Sequence, residues 1–186
     1  VRTDDDLDPR VRRTQRDVVQ AASELLLEEG WFALTHAAVA SRAGYSKATL
    51  YNHWPDPADL GRAAFLHACA TPHHEPTGDL RTDLIGELTA FSDALVNHHL
   101  ARVIAALVEM SASDPASAEV LATFQAEGSA PMRQILVDNG YTGETGDVML
   151  EILSGAVLYR SMLLQQAPTA DHIELLVDTA LANSER

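Results

Sequence analysis

The chain has 186 residues, 46% of them apolar, enough to bury a sizeable core and too many for a disordered tail. Its formal charge of −14 argues against a uniformly basic coat for nucleic acid or membrane, and no apolar run reaches the length of a membrane span. A lone cysteine, Cys69, excludes an intrachain disulfide and fits a reducing cytoplasm, as does the lack of a signal-peptide pattern.

The acidic average hides a division. Between Pro9 and Trp54 six cations (Arg10, Arg12, Arg13, Arg16, Arg42 and Lys47) face four acids, a net of +2, whereas from Gly61 onward six cations face seventeen acids, a net of −11. Such asymmetry orients a protein on a polyanion, cationic end first.

The first predicted element is a helix over Arg13–Glu29, where Val18, Ala21, Ala22, Leu25 and Leu26 recur at helical spacing before Gly30 ends it. Thr35 suits the N-cap of a second helix, His36–Ala43, and Gly44 suits the residue just past its end, where positive φ is easiest without a Cβ. Ser46 then caps a third helix, Lys47–His53, so one helix stops and another starts within three residues. Leu50 and Trp54 fall on one face and turn inward; Lys47, Ala48, Tyr51 and Asn52 fall on another. That outer face is cationic, hydroxylated and slim, as entry into a major groove requires. Asp56, Pro57 and Asp59 give a capped, acid-rich start to a fourth helix running to about Ala70.

Thr71–Gly78 (TPHHEPTG) has no periodicity and reads as a solvated connection. Five further helices are predicted: about Asp79–Asn97, His99–Met110, Pro115–Val137, Glu144–Gln166 and Ala170–Ala182, with Pro131 inside the third of these. No stretch alternates like a strand. The expected class is therefore all-α, with about nine helices: an N-terminal arm and three-helix unit (1–55), a connecting helix and linker (56–78), and a larger helical domain (79–186). The eighth helix is apolar on nearly every side and Gly155 permits close backbone approach. With Ile152 and Leu158 there, and Ile173, Leu176, Val177 and Ala180 on the last helix, two copies can form an intermolecular four-helix bundle. Burial within a single chain is the alternative.

The run ASRAGYSKATLYNHW from Ala40, continued by Pro55 and Leu60 and preceded by GWFALTHAAVASRAG from Gly30, resembles the TetR family of bacterial transcriptional repressors over roughly Arg12–Phe65. The resemblance implies a homodimer on a double-stranded DNA operator. In it Ser46, Thr49, Tyr51 and His53 meet phosphates, Lys47 and Asn52 reach base edges, and Thr35 meets a phosphate at the start of helix two. Arg12 and Arg13, with Arg10 and Arg16, read as a basic arm for the backbone or minor groove. Where relatives often carry a cation at the start of helix four, this chain has Asp56-Pro57-Ala58-Asp59, and Ala37 and Ala38 replace polar residues early in helix two; both lower the number of phosphate contacts.

The second lobe is expected to hold a small, apolar effector in a cavity lined by Phe91, Leu95, His98, Leu107, Met110, Phe124, Tyr159 and Met162, with Glu109 and Gln125 as further polar candidates. An enzyme is not expected: GxSxG, HExxH, paired cysteines and Gly-rich phosphate loops are all absent. No cofactor is implied. His67, His73, His74 and Glu75 make the best metal-like cluster, but the prolines around them favour a linker over a metal site. The serious alternative to a regulator is an all-α ligand-binding or adaptor protein that keeps a helix-turn-helix without specific DNA binding.

Overall fold

The structure, a computed structural model, describes residues 8–68 and 73–184. Nine α-helices and no strand are found among them. Cys69 and the expected end of helix four at Ala70 lie outside the described residues.

Helix α1 spans Pro9–Glu29, one turn earlier than the apolar spacing indicates. Asp8 accepts a hydrogen bond from the Arg10 amide at 2.8 Å and Pro9 occupies the first position, a start signal written in polar rather than apolar residues. Arg10, Arg12 and Arg13 consequently lie on a helix and not on an extended arm. A short 3₁₀ turn, Trp31–Ala33, precedes α2 (His36–Ala43) and α3 (Lys47–His53). Helix α4 runs Pro57–Ala68, and its first turn is tied by Asp56 Oδ1 accepting from the Ala58 amide. Then come α5 (Leu80–Asn97), α6 (Leu100–Ser111), α7 (Pro115–Asp138, through Pro131), α8 (Gly143–Leu158) and α9 (Ala170–Ser184).

Burial organises these helices around three apolar clusters. Val18, Leu25, Val39, Leu50, Trp54 and Leu60 bind α1 to α4 into an N-terminal head. Leu84, Leu88, Leu136, Leu153, Ile173 and Val177 are among the residues binding α5, α7, α8 and α9 into a body. The third cluster is a seam: Leu26 of α1 and Phe65 of α4 pack on Val103 and Leu107 of α6 and Val120 of α7, with Phe65 set edge-on to Phe124 at 5.4 Å.

Two expectations are corrected by this packing. Helix eight does not continue as α-helix to Gln166. The Leu164 amide bonds the Tyr159 carbonyl at 3.1 Å, five residues back, so Tyr159–Leu163 form a π turn. An apolar pattern cannot distinguish one wide turn from a normal one. In α9, Ile173, Val177 and Ala180 are buried against their own chain, so they cannot form an outward dimer face, while Leu176 is half-buried. The outward apolar stripe is Val148, Ile152, Gly155 and Tyr159, with Leu158 half-buried beside it and Leu175 exposed on α9.

The connection before α5 is likewise more than a solvated linker. Asp83 and Glu87, one turn apart on α5, are both buried, and residues 73–78 fold over them. Asp83 accepts from the Thr77 amide and hydroxyl (2.7 Å each), the Gly78 amide (2.9 Å) and the His74 ring (3.1 Å). Glu87 meets the His73 ring at 2.6 Å and the His74 amide at 3.0 Å. Gly86 makes room for this clasp, since a Cβ there would stand 2.3 Å from His74 Nδ1. The histidines thus serve carboxylates, and among the described residues no group of three or more His, Cys, Asp or Glu is arranged to hold a metal ion.

Candidate nucleic-acid interface

Local capping fixes the angle between α2 and α3. Thr35 Oγ1 accepts from the Ala38 amide at 3.1 Å, starting α2, and Gly44 ends it in the left-handed region at φ 75°, where a side chain is strained. The Tyr45 amide returns to the Ala40 carbonyl at 3.1 Å, closing the turn. Ser46 Oγ then accepts from the Thr49 amide at 3.1 Å and lies 2.9 Å from the Thr49 hydroxyl. With Leu50 fully buried and Trp54 nearly so, the rotation of α3 about its axis is set.

What remains outside is the surface read from the sequence. Lys47, Ala48, Tyr51 and Asn52 are exposed, Thr49 and His53 half-buried, and Thr35 and Ser46 exposed at the two helix starts. Lys47 has no ion pair among the described residues, so its charge is available. The other head cations are partly committed. Arg42 bonds Glu28 at 2.6 Å and approaches Glu29, and Arg13 and Arg16 lie 3.7 and 3.5 Å from Asp17. Glu28 holds the Arg42 guanidinium further toward its charged form.

One residue of this surface was missed by sequence reasoning. His36 is buried, its Nε2 donates to the Trp54 carbonyl at 2.7 Å, and its ring stacks on the Tyr51 ring at 4.2 Å and 21°. Tyr51, half-exposed, is therefore held flat against α2 with its edge to solvent. His53 leans on Trp54 at 5.7 Å. No local signal links positions 36 and 51, because the stacking exists only once the two helices cross. Asp17 similarly accepts from the Tyr45 hydroxyl at 3.1 Å, bracing the turn against α1.

The residues expected around an effector are not brought together. Leu107 and Phe124 belong to the seam, Phe91 packs on the body core, Met110 is half-buried, His98 is exposed beside Asp93, and Tyr159 is 55% exposed on the outward stripe. Glu109 and Gln125 are also exposed. Only Leu95 and Met162 line the body's cavity of about 400 Å³, which opens where the end of α5, the start of α6 and the π turn meet.

Comparison with known proteins matches residues 18–64 to the family described as bacterial regulatory proteins, tetR family, and residues 74–180 to the tetracyclin repressor-like C-terminal domain. The HTH-type transcriptional regulator Rv1556 of Mycobacterium tuberculosis is 35% identical over 179 residues, covering 91% of this chain and 87% of the relative. Among solved structures, the TetR family transcription regulator SCO0332 superposes with a TM-score of 0.68 at 27% identity, covering 91% of this chain and 97% of that one. The flavonoid-responsive regulator FrrA shares the fold with a TM-score of 0.70 at 20% identity, over 93% and 95% of the two chains.

Proposed function

Since the chain belongs to the TetR family of helix-turn-helix transcriptional regulators, we propose that it acts as a homodimeric repressor that a small ligand releases from a palindromic operator. The observation that carries this is the outer face of α3. An unpaired Lys47 and the amide of Asn52 stand beside a Tyr51 ring clamped by His36, on a helix whose start is capped and whose opposite face is buried. In this reading Lys47 and Asn52 reach base edges, and Thr35, Ser46, Thr49, Tyr51 and His53 meet phosphates, with Arg12 and Arg13 flanking from α1. The work divides as residues 1–55 for DNA, 56–78 for connection, and 79–186 for ligand and dimer.

The partner copy docks on Val148, Ile152, Gly155 and Tyr159, an exposed apolar stripe on one face of α8 and its π turn. Two recognition helices on one face of a duplex then sit ~34 Å apart. Coupling runs through α6: Ala101, Arg102 and Ala105 wall the cavity, and Val103 and Leu107 of the same helix pack with Phe65 and Leu26 of the head. A ligand favouring one placement of α6 shifts the spacing of the heads by as much as its affinities for the two states differ. Such a regulator works where the chromosome is, in the cytoplasm, and among the described residues no helix is long and apolar enough to cross a membrane.

The test is binding to DNA from the protein's own locus at two salt concentrations, with wild type and a Lys47→Ala, Tyr51→Phe double variant. Specific binding that falls about tenfold or more in the variant supports the regulator. Absence of binding even at low salt supports the adaptor instead.

A further inference from the structure

The body's cavity lies where the end of α8 meets the start of α6. Among the described residues His99 (φ 58°) and Gln165 (φ 53°) are the two non-glycine residues in the left-handed backbone region, and both line it. The π turn Tyr159–Leu163, which ends α8 with Gln165 beyond it and the Gln166 amide on the Arg160 carbonyl, supplies a third wall. Within that turn Ser161 Oγ is buried without a hydrogen-bond partner, although a hydroxyl in this position costs free energy unless something satisfies it.

The charge around the cavity has one sign. Arg102 is the sole formally charged residue lining it, has no ion pair among the described residues, and stands in the first turn of α6. That helix starts at His99 with no side chain capping its free amides, so the positive end of its dipole lies in the same wall. Although the chain has a net charge of −14, this cavity has a cation at its mouth and no carboxylate in its lining. Leu95, Ala101, Ala105 and Met162 supply its apolar lining, beside the neutral polar side chains of His99, Gln165 and Gln166. At about 400 Å³ the volume is at the lower end of ligand sites, which suits a small molecule.

We infer that this cavity binds a small amphipathic monoanion, a carboxylate with a short apolar body, whose charged end is held by Arg102 and the uncapped start of α6 and whose oxygen satisfies Ser161 Oγ. The inference rests on the ligand-responsive reading above and revises its expected effector from apolar to anionic. The apolar body lies along Leu95, Ala105 and Met162, and the strained backbone at His99 and Gln165 is the part of the wall that adjusts when the site fills.

Calorimetric titration of the full chain with sodium octanoate, octylammonium chloride and 1-octanol tests it. Octanoate is expected to bind once per chain, octanol at least about tenfold more weakly, and octylammonium without measurable heat. Arg102→Gln is expected to weaken octanoate about ten- to hundredfold, the range for a hydrogen bond to a charged group, with an unchanged melting temperature because its guanidinium makes no ion pair among the described residues. Ser161→Ala is expected to weaken it by less than that. No octanoate binding at millimolar concentration, equal binding of octylammonium, or full affinity in Arg102→Gln would overturn the proposal. Operator affinity measured in the same samples separates the two readings. Arg102-dependent octanoate binding that leaves DNA affinity untouched upholds the anion site and removes ligand-controlled release. Absence of octanoate binding, together with release of DNA by another ligand, upholds the regulator and removes the anion site.

Discussion

The head and the body are built on different scales. In the head, α2 and α3 are eight and seven residues long, and each begins on a hydroxyl cap; α2 ends on a glycine, α3 against the buried Trp54. Neighbours within a few positions decide where both helices start and stop. In the body the helices are long, and what a residue does is decided by helices far away in sequence: Leu95 and Met162 share a cavity, whereas Phe91 and Leu107, no less apolar, face different cores. A reading surface can be set by local chemistry, but a sensing cavity has to be assembled from a distance.

Breaking the seam between the two regions gives the largest expected effect. Phe65→Ala removes a fully buried ring that touches both, which costs about 3–5 kcal/mol. Both tryptophans, Trp31 and Trp54, lie on the head side, so fluorescence follows the head while far-ultraviolet circular dichroism follows the whole chain. Coincident loss in urea by both probes shows that the seam unites them; a shift in fluorescence alone would show a body indifferent to its head. Next comes Ile152→Asp on the outward stripe. Ile152 is 49% exposed, so the protomer keeps its fold, but a carboxylate buried against a second copy costs about 2–5 kcal/mol and raises the dimer dissociation constant about thirtyfold or more. Sedimentation equilibrium reads this directly, and an unchanged dimer would place the interface elsewhere.

The same contrast explains what could be seen in the sequence. The bounds of α2 and α3 coincide with the predicted ones because Thr35, Gly44 and Ser46 are local signals, and the outward set Lys47, Tyr51 and Asn52 follows from two inward residues, Leu50 and Trp54. The start of α1 lies a turn before its first apolar repeat because its signal, Asp8-Pro9, is polar. Ile173, Val177 and Ala180 have the right period for a packed face, but period does not say whose core they enter. His36 under Tyr51 is a consequence of tertiary contact. The clasp on Asp83 and the π turn are local in sequence, made five to nine and five residues apart, but polar hydrogen bonds and one wide turn leave no mark on an apolar period.

A finer test separates the two duties of Ser46. Ser46→Ala removes the cap of α3 and is expected to cost about 1 kcal/mol of stability. Ser46→Asp caps equally well yet places a negative charge where a phosphate is expected, so it should keep the melting temperature and lose operator affinity. A variant that bound DNA normally would show that the N-terminus of α3 stands away from the backbone.

The smallest effect concerns the clasp, the body's counterpart to the head's caps. The Thr77 amide first, then its hydroxyl, the Gly78 amide and the His74 ring, hold the Asp83 carboxyl down at about 2, against burial that pushes it up. A carboxylate acid-shifted in the folded state stabilises above its unfolded value near 3.9, and that contribution fades as pH falls toward the folded value. The window is therefore about pH 4 to 2. Asp79, lowered by Thr82, and Asp178, lowered by Arg81, act in the same direction, so acid destabilises wild type and an Asp83→Asn variant alike. The share belonging to Asp83 is the difference between them. The gap in urea midpoint between wild type and Asp83→Asn should be widest above pH 4 and narrow steadily toward pH 2. A gap that stayed constant through that range would mean that the amide fails for reasons of shape, and that the charge on Asp83 contributes nothing to holding residues 73–78 on α5.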